Sequence, residues 1–371
     1  MRLSGVVSLL PFFLLAVAHP GGHGDHDQLA RRKFLAHAKR SINDCRDIIE
    51  ARGIESRSIE RRAALAEALR SRRGLPQRSA VSRRDFASVL AADHESNRTD
   101  LTAGSTGADI FTGDLACVLQ PEVTIGPYWV SGELVRTDLT EGEGGVPLYS
   151  DYQIIDVTTC DPIPNVYVDT WHANSTGVYA GVVAGGNGDS SDLTNINTTH
   201  GRGVALTDAD GVAYFETLFP GHYTGRTPHI HVLTILNATL LPNNTISGGT
   251  AAHIGQVFFD QSLIAAVGEN APYSTNTQVL TLNSEDGIMA EEAAVMDPVM
   301  QYVWLSDDPS DGILGWITIG IDPTAEYVTS AAATWTENGG VTNPNAGGGP
   351  GGPGGPPGGP GGPPPPASSS A

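Results

Sequence analysis

The chain has 371 residues, 40% of them hydrophobic, enough for one large domain or two ordinary ones, and disorder throughout is excluded. Residues 1–100 carry 18 Lys+Arg against 12 Asp+Glu, a net +6, whereas residues 101–371 carry 3 against 29, a net −26. A body whose cations are Arg136, Arg202 and Arg226 repels a phosphate backbone and an anionic membrane, so nucleic acid and membrane are excluded as partners and a small-molecule substrate is left open.

Residues 1–18 read as a signal peptide, with one early arginine, a short apolar run and Ala16-Val17-Ala18 before His19-Pro20. Sequons at Asn97, Asn174, Asn197, Asn237 and Asn243 agree with passage through a glycosylating pathway, so the expected location is extracellular. His19, His23 and His26 could hold a metal loosely, but a solvated tail is the expected reading. Residues 28–73 have helical spacing of Leu29, Phe34, Leu35, Ile42, Ile48, Ile49, Leu65 and Leu69 among basic residues. The pairs Lys39-Arg40, Arg61-Arg62, Arg72-Arg73 and Arg83-Arg84 make the basic region 19–100 either a cleavable propeptide or a helical pair that packs on the acidic body. Of the three cysteines, Cys117 and Cys160 both lie in that body, and they are expected to form a disulfide that leaves Cys45 over.

From about Cys117 short β-prone runs alternate with Gly, Pro, Asn and Asp. Strands are predicted at Val166–Trp171, Val212–Leu218, His229–Leu236, Gly255–Phe259, Gln278–Leu282, Tyr302–Leu305 and Trp316–Ile321. The fold class expected is all-β, a β-sandwich core with inserted loops over residues 101–330, preceded by the basic helical region. Residues 331–371 form a Gly/Pro/Ser-rich tail; 347–366 are entirely Gly and Pro, a composition that cannot bury a core.

The most informative stretch runs from Pro220 to Val232 and contains Tyr223, Arg226, His229 and His231. Residues two apart on a strand share a face, roughly 6.5 Å apart, so His229 and His231 can offer both imidazoles to one ion. A second tyrosine closes Trp171-His-Ala-Asn-Ser-Thr-Gly-Val-Tyr179.

These pieces resemble the intradiol ring-cleavage dioxygenases, in particular a secreted fungal branch. The resemblance is carried by Pro121–Tyr128, Asn165–Asn174 leading to Gly177-Val-Tyr179, Arg202-Gly203 with Thr207-Asp208 and Asp210-Gly211, and Pro220–His231, in the expected order over roughly residues 115–325. It implies a non-haem Fe(III) held by Tyr179, Tyr223, His229 and His231, a hard cation suited to two phenolates and two imidazoles. It also implies that Tyr223 leaves the metal and takes a proton when a catechol binds. Arg226 would stabilise charge on the ring, and Gln256 would stand beside the reacting centre. The implied reaction cleaves a catechol-type ring with O2 to a muconate-type diacid. Tyr128 and Trp129 are expected to line the pocket or core, His172 to make a structural hydrogen bond, and His200, His222 and His253 to be exposed or beside the site. Glu291-Glu292 is expected on a solvated face.

This chain departs from cytoplasmic members in a short Tyr223–His229 gap, an insertion bearing Asn237 and Asn243, and a basic region unlike their dimerisation segment; the sequence leaves the oligomeric state open. The competing function is a secreted β-sandwich binding module that keeps the fold without catalysis.

Overall fold

The computed structural model describes residues 45, 47–75, 125–293 and 297–344, and the backbone of 117–118. The leader, His19, His23, His26, the pairs Lys39-Arg40 and Arg83-Arg84, Asn97 and the Gly/Pro run lie outside the described residues.

The chain is mostly sheet with few helices. After helix α1 (Ile54–Arg73) come β1 (Cys117–Val118), β2 (Val130–Ser131), β3 (Pro147–Asp156), β4 (Tyr167–Trp171), β5 (Arg202–Leu206), β6 (Val212–Leu218) and β7 (His229–Leu236). The hairpin β8 (Thr239–Leu240) and β9 (Ile246–Ser247) occupies the sequon-bearing insertion, followed by β10 (Thr250–Phe258). Helices α2 (Gln261–Gly268) and α3 (Gly287–Ala293) precede β11 (Gln301–Trp304), β12 (Ile313–Ile321), β13 (Ala333–Thr336) and β14 (Gly339–Thr342).

One sheet has the order β1-β12-β3-β6, with β11 pairing β12 beside β1; a second has the antiparallel order β10-β7-β4-β5. Alternation along each strand decides what faces what. Leu148, Tyr152 and Ile154 of β3, Phe215 of β6 and Ile317 and Ile319 of β12 share one apolar cluster with Val168 of β4, Ile230 and Val232 of β7 and Val257 of β10. The opposite face of the first sheet presents Tyr149, Leu314 and Trp316 to Ala66 and Leu69 of α1. The opposite face of the second sheet presents Trp171, Leu233 and Ile254 to Tyr128, Tyr179 and Tyr223.

Helix α1 ends at Gly74 in the left-handed conformation (φ 67°), whose N–H bonds back to Arg70 and Ser71 carbonyls. Its apolar stripe is thin, and its arginines do much of the docking. Arg61 and Arg62 both bond the buried Asp151 at 3.2 Å, Arg72 bonds Glu216 at 2.8 Å and Arg57 bonds Asp210 at 3.2 Å.

The disulfide is Cys45–Cys160, with Cα atoms 5.3 Å apart, and not the expected Cys117–Cys160. The reason is topological. Cys117 sits in register with Thr318 along β12, level with Gln153 in β3. Cys160 lies four residues beyond the end of β3, in a turn whose Cys160 N–H bonds the Asp156 carbonyl at 2.8 Å. That turn packs with Cys45, Ile49, Ile54 and Ile155.

Three further expectations are corrected. Gln278–Leu282 forms no strand; its side chains bond outward to the loop at 222–225 instead. β3 and β5 are absent from the predicted strands; β3 carries Asp151 and Gln153, which α1 covers. Residues 331–344, assigned to the tail, carry β13 and β14, and β13 pairs in parallel with β2. Among the described residues no helix is long and apolar enough to cross a membrane.

Candidate metal centre

The site lies on the face of the second sheet that points away from the shared core. In register across three strands stand Trp171 of β4, His231 of β7 and Gln256 of β10. His229 shares this face, two residues from His231. Trp171 stacks on the His231 ring at 4.7 Å and 5°, which fixes its plane.

Two loops bring the tyrosines. After β4 the chain turns at Asn174, whose side chain accepts from the N–H groups of Thr176 and Val178 at 3.1 and 3.0 Å. Gly177 is left-handed (φ 84°), and a Cβ there would collide with the His222 carbonyl. Tyr179 is then clamped through its backbone: its N–H donates to Asn187 Oδ1 at 3.1 Å, and its carbonyl accepts from Asn187 and Asn195 at 3.1 and 2.7 Å. Tyr223 opens a tight turn closed by Arg226 N–H to the Tyr223 carbonyl at 3.3 Å, with Gly225 at φ 95°.

These elements converge on His229 Nε2. Tyr179 Oη stands 3.2 Å from it, His231 Nε2 3.2 Å, and Tyr223 Oη and Arg226 Nη1 3.5 Å each. His229 Nδ1–H donates to the Thr227 carbonyl at 2.7 Å, which leaves the Nε2 lone pair turned toward the cluster. All four side chains are at most 3% exposed.

Donor atoms that each lie about 2 Å from one ion stand roughly 3 Å from each other, so the spacing and the mixture of two phenols with two imidazoles fit a hard, highly charged cation. Burial pushes the Tyr179 and Tyr223 phenols above the ordinary tyrosine range, and Arg226 opposes this at both. A coordinated cation inverts that logic by favouring the phenolates. Among the described residues no group of three or more His, Cys, Asp or Glu side chains could hold a metal.

Arg226 is 3% exposed, and its guanidinium is gripped on two edges. Nε donates to Asp286 Oδ2 at 2.8 Å and Nη2 to Gln256 Oε1 at 2.6 Å, while Nη1 faces His229. Burial works against its charge, but Tyr223 and Asp286 outweigh it and hold the guanidinium above its ordinary range.

Tyr128 packs at 4.7 Å on Tyr179 and at 6.3 Å on Tyr223, inside the site wall as expected, and Trp129 donates to the buried Asp169 at 2.9 Å. His172 makes structural contacts, to the Ala173 carbonyl at 2.8 Å and Thr217 at 2.7 Å, and burial lowers its pKa to about 4. His222 is half-buried and bonds the Gln278 carbonyl at 3.0 Å, whereas His200 and His253 are buried rather than exposed. Of the pair expected on a solvated face, Glu291 is exposed, whereas α3 turns Glu292 inward and buries it.

Sequence reasoning missed Asp286, Asn187 and Asn195. Asp286 lies 60 residues from Arg226, and the only available signal was chemical: a buried guanidinium requires a buried counter-charge.

Residues 126–241 match the model of the Dioxygenase family. An intradiol ring-cleavage dioxygenase from Tetranychus urticae is 31% identical, over 57% of this chain and 98% of that one, with a TM-score of 0.47. The dioxygenase domain of a dioxygenase carbohydrate-binding fusion from Streptomyces sp. SirexAA-E is 24% identical over 55% and 97% (TM-score 0.34). Catechol 1,2-dioxygenase from Pseudomonas arvilla C-1 is 17% identical over 57% and 65% (TM-score 0.34). None of the curated proteins compared matches the chain. With 31% identity sustained along 98% of the Tetranychus urticae protein, the chain belongs to the intradiol ring-cleavage dioxygenase family.

Proposed function

We propose that this protein is a secreted Fe(III) intradiol dioxygenase that cleaves a catechol-type aromatic ring with O2, inserting both oxygen atoms to give a muconate-type diacid. The observation that carries the reading is the convergence of Tyr179, Tyr223 and His231 donor atoms within 3.5 Å of His229 Nε2 on one buried sheet face. Tyr179, Tyr223, His229 and His231 would hold the iron. When bound, the ferric ion supplies a Lewis acid that takes the substrate as a catecholate and makes its ring reactive toward O2.

The chain's own residues supply the rest. A catechol that binds as a dianion gives up two protons: Tyr223 Oη, at the opening of a turn rather than on a strand, would accept one when held as a phenolate, and solvent would take the other. Arg226 offers a fixed cation beside the cluster for negative charge that grows on the ring along the reaction path. Gln256 holds one edge of that guanidinium. Tyr128 and Trp171 close the walls and keep water from the reacting centre.

A β-sandwich reading is supported by the single apolar cluster that both sheets feed. Secretion and glycosylation are supported by the leader-like residues 1–18, the disulfide, and the exposed Asn197, Asn237 and Asn243.

The deciding experiment incubates purified protein with catechol or hydroxyquinol under 18O2 without added reductant. The expected result is one O2 consumed per ring, both labels in the diacid and a coloured, iron-containing protein. His231→Ala should lose most of the iron and colour while circular dichroism stays β. A product cleaved outside the two hydroxylated carbons, or no turnover of either substrate by iron-loaded protein, would sink the proposal and favour a binding module.

A further inference from the structure

Arg226 could swing freely if nothing held it, because an arginine side chain has four rotatable bonds and its guanidinium must point at one place to act. The structure fixes it through a carboxylate from a distant part of the chain. Asp286 is 1% exposed, and its two oxygens face different partners. Oδ1 accepts the N–H groups of Ile288 and Met289, both at 2.9 Å, and so caps α3. Oδ2 accepts Arg226 Nε–H at 2.8 Å and Thr227 N–H at 2.9 Å. A third link ties the same two segments, since Thr227 Oγ1 lies 2.6 Å from Asn283 Oδ1, and Asn283 Nδ2 donates to the Phe259 carbonyl at 2.8 Å. The segment 283–286 is thereby a rigid bracket behind the Tyr223–His231 loop.

We propose that Asp286 is a positioning residue whose Oδ2 orients the Arg226 guanidinium toward the Tyr179–Tyr223–His229–His231 cluster, while Oδ1 independently anchors the bracket by capping α3. The turnover part of this inference rests on the dioxygenase reading above; the geometric part does not.

The division of labour between the oxygens makes Asp286→Asn a selective probe. Its amide oxygen can still cap α3, and its NH2 sets a donor against two donors, Arg226 Nε–H and Thr227 N–H. A lost hydrogen bond to a charged group corresponds to about a 10- to 100-fold loss. The variant should therefore lose about 10- to 100-fold in kcat, keep KM within about threefold, and retain iron content and the tyrosinate colour. The same substitution in an Arg226→Ala background should change kcat no further, because Asp286 acts through Arg226. Independently of iron, NMR of the metal-free protein should show an Arg226 Nε–H resonance that is protected from solvent exchange in the wild type and unprotected in Asp286→Asn. If Asp286→Asn fails to fold, Asp286→Ser, which keeps a capping oxygen, gives the same readouts. A kcat within twofold of the wild type, losses that multiply in the double variant, or an unchanged Arg226 resonance would overturn the proposal. Should the wild type bind no iron and turn over no catechol, the dioxygenase reading fails, and the Arg226 resonance alone decides whether Asp286 holds the guanidinium.

Discussion

At the scale of single residues, Arg226 and Asp286 place opposite charges together where burial makes each one costly. Arg226 and Asp286 are 3% and 1% exposed, so removing either leaves the other in a low-dielectric interior. Arg226→Ala should cost about 3 kcal/mol of stability on that ground. Adding Asp286→Asn to it should recover part of the loss, because the stranded charge is then gone; thermal denaturation of the single and double variants measures both effects. His229 shows the same economy with a neutral group. One backbone carbonyl, that of Thr227, fixes its tautomer and so decides which nitrogen faces the tyrosines.

Among the elements, α1 meets one of the two expectations for the basic region, a helix packed on the acidic body. Its sequence is basic and weakly amphipathic, and alone it would be a marginal helix in water. It persists by docking on a sheet face that carries Tyr149, Asp151 and Gln153 between apolar neighbours. Asp151 accepts from both Arg61 and Arg62, and the Arg62 guanidinium also lies 5.7 Å over Trp316. Asp151→Ala should therefore cost about 3 kcal/mol, by leaving the buried Arg62 without its carboxylate. The dibasic pairs Arg61-Arg62 and Arg72-Arg73 lie within the docked helix, so native protein should resist trypsin there and Asp151→Ala should be cut. After cutting, peptides that contain Cys45 should stay attached on non-reducing gels and separate on reducing ones, as Cys45–Cys160 requires. Recovery of a Cys117–Cys160 peptide instead would contradict the structure.

Across the whole molecule, burial also sets the charge state of carboxylates in the acidic body. Glu133, Asp169 and Arg202 are at most 3% exposed; Arg202 faces both acids, with Nη1 at 3.5 Å from Glu133, and the less buried Arg136 also acts on Glu133. Arg202 also donates to the Ala180 and Tyr128 carbonyls at 2.7 and 2.6 Å, tying the Tyr179 loop to the Tyr128 segment. Burial pushes Glu133 up to about 7, against the pull of Arg202, and raises Asp169 as well. An acid whose pKa is raised on folding binds more protons in the native state than in the unfolded one. Its contribution is then most favourable below its unfolded value of about 4.5, and it is lost as pH rises toward 7. Wild-type stability should thus carry a downward slope over that window, and Glu133→Gln should flatten it; urea midpoints from pH 4.5 to 7.5 test this. A slope unchanged in the variant would place the titrating group elsewhere.

The local chemistry of the site was legible in the sequence because its carriers are close together: Tyr223, Arg226, His229 and His231 span nine residues, and period-two alternation puts both histidines on one face. The strand at His229–Leu236 and the mostly-β class followed from the same alternation and from turn residues. What the sequence could not decide was pairing over long separations. Cys160 finds a partner 115 residues away, Arg226 finds Asp286 60 residues away, and Asp151 is masked as a strand residue until α1 covers it. Each of these depends on which surfaces the packed sheets bring together. Local propensity carries no term for that, since a thiol, a carboxylate or a guanidinium looks the same in sequence whether its partner waits nearby or across the fold.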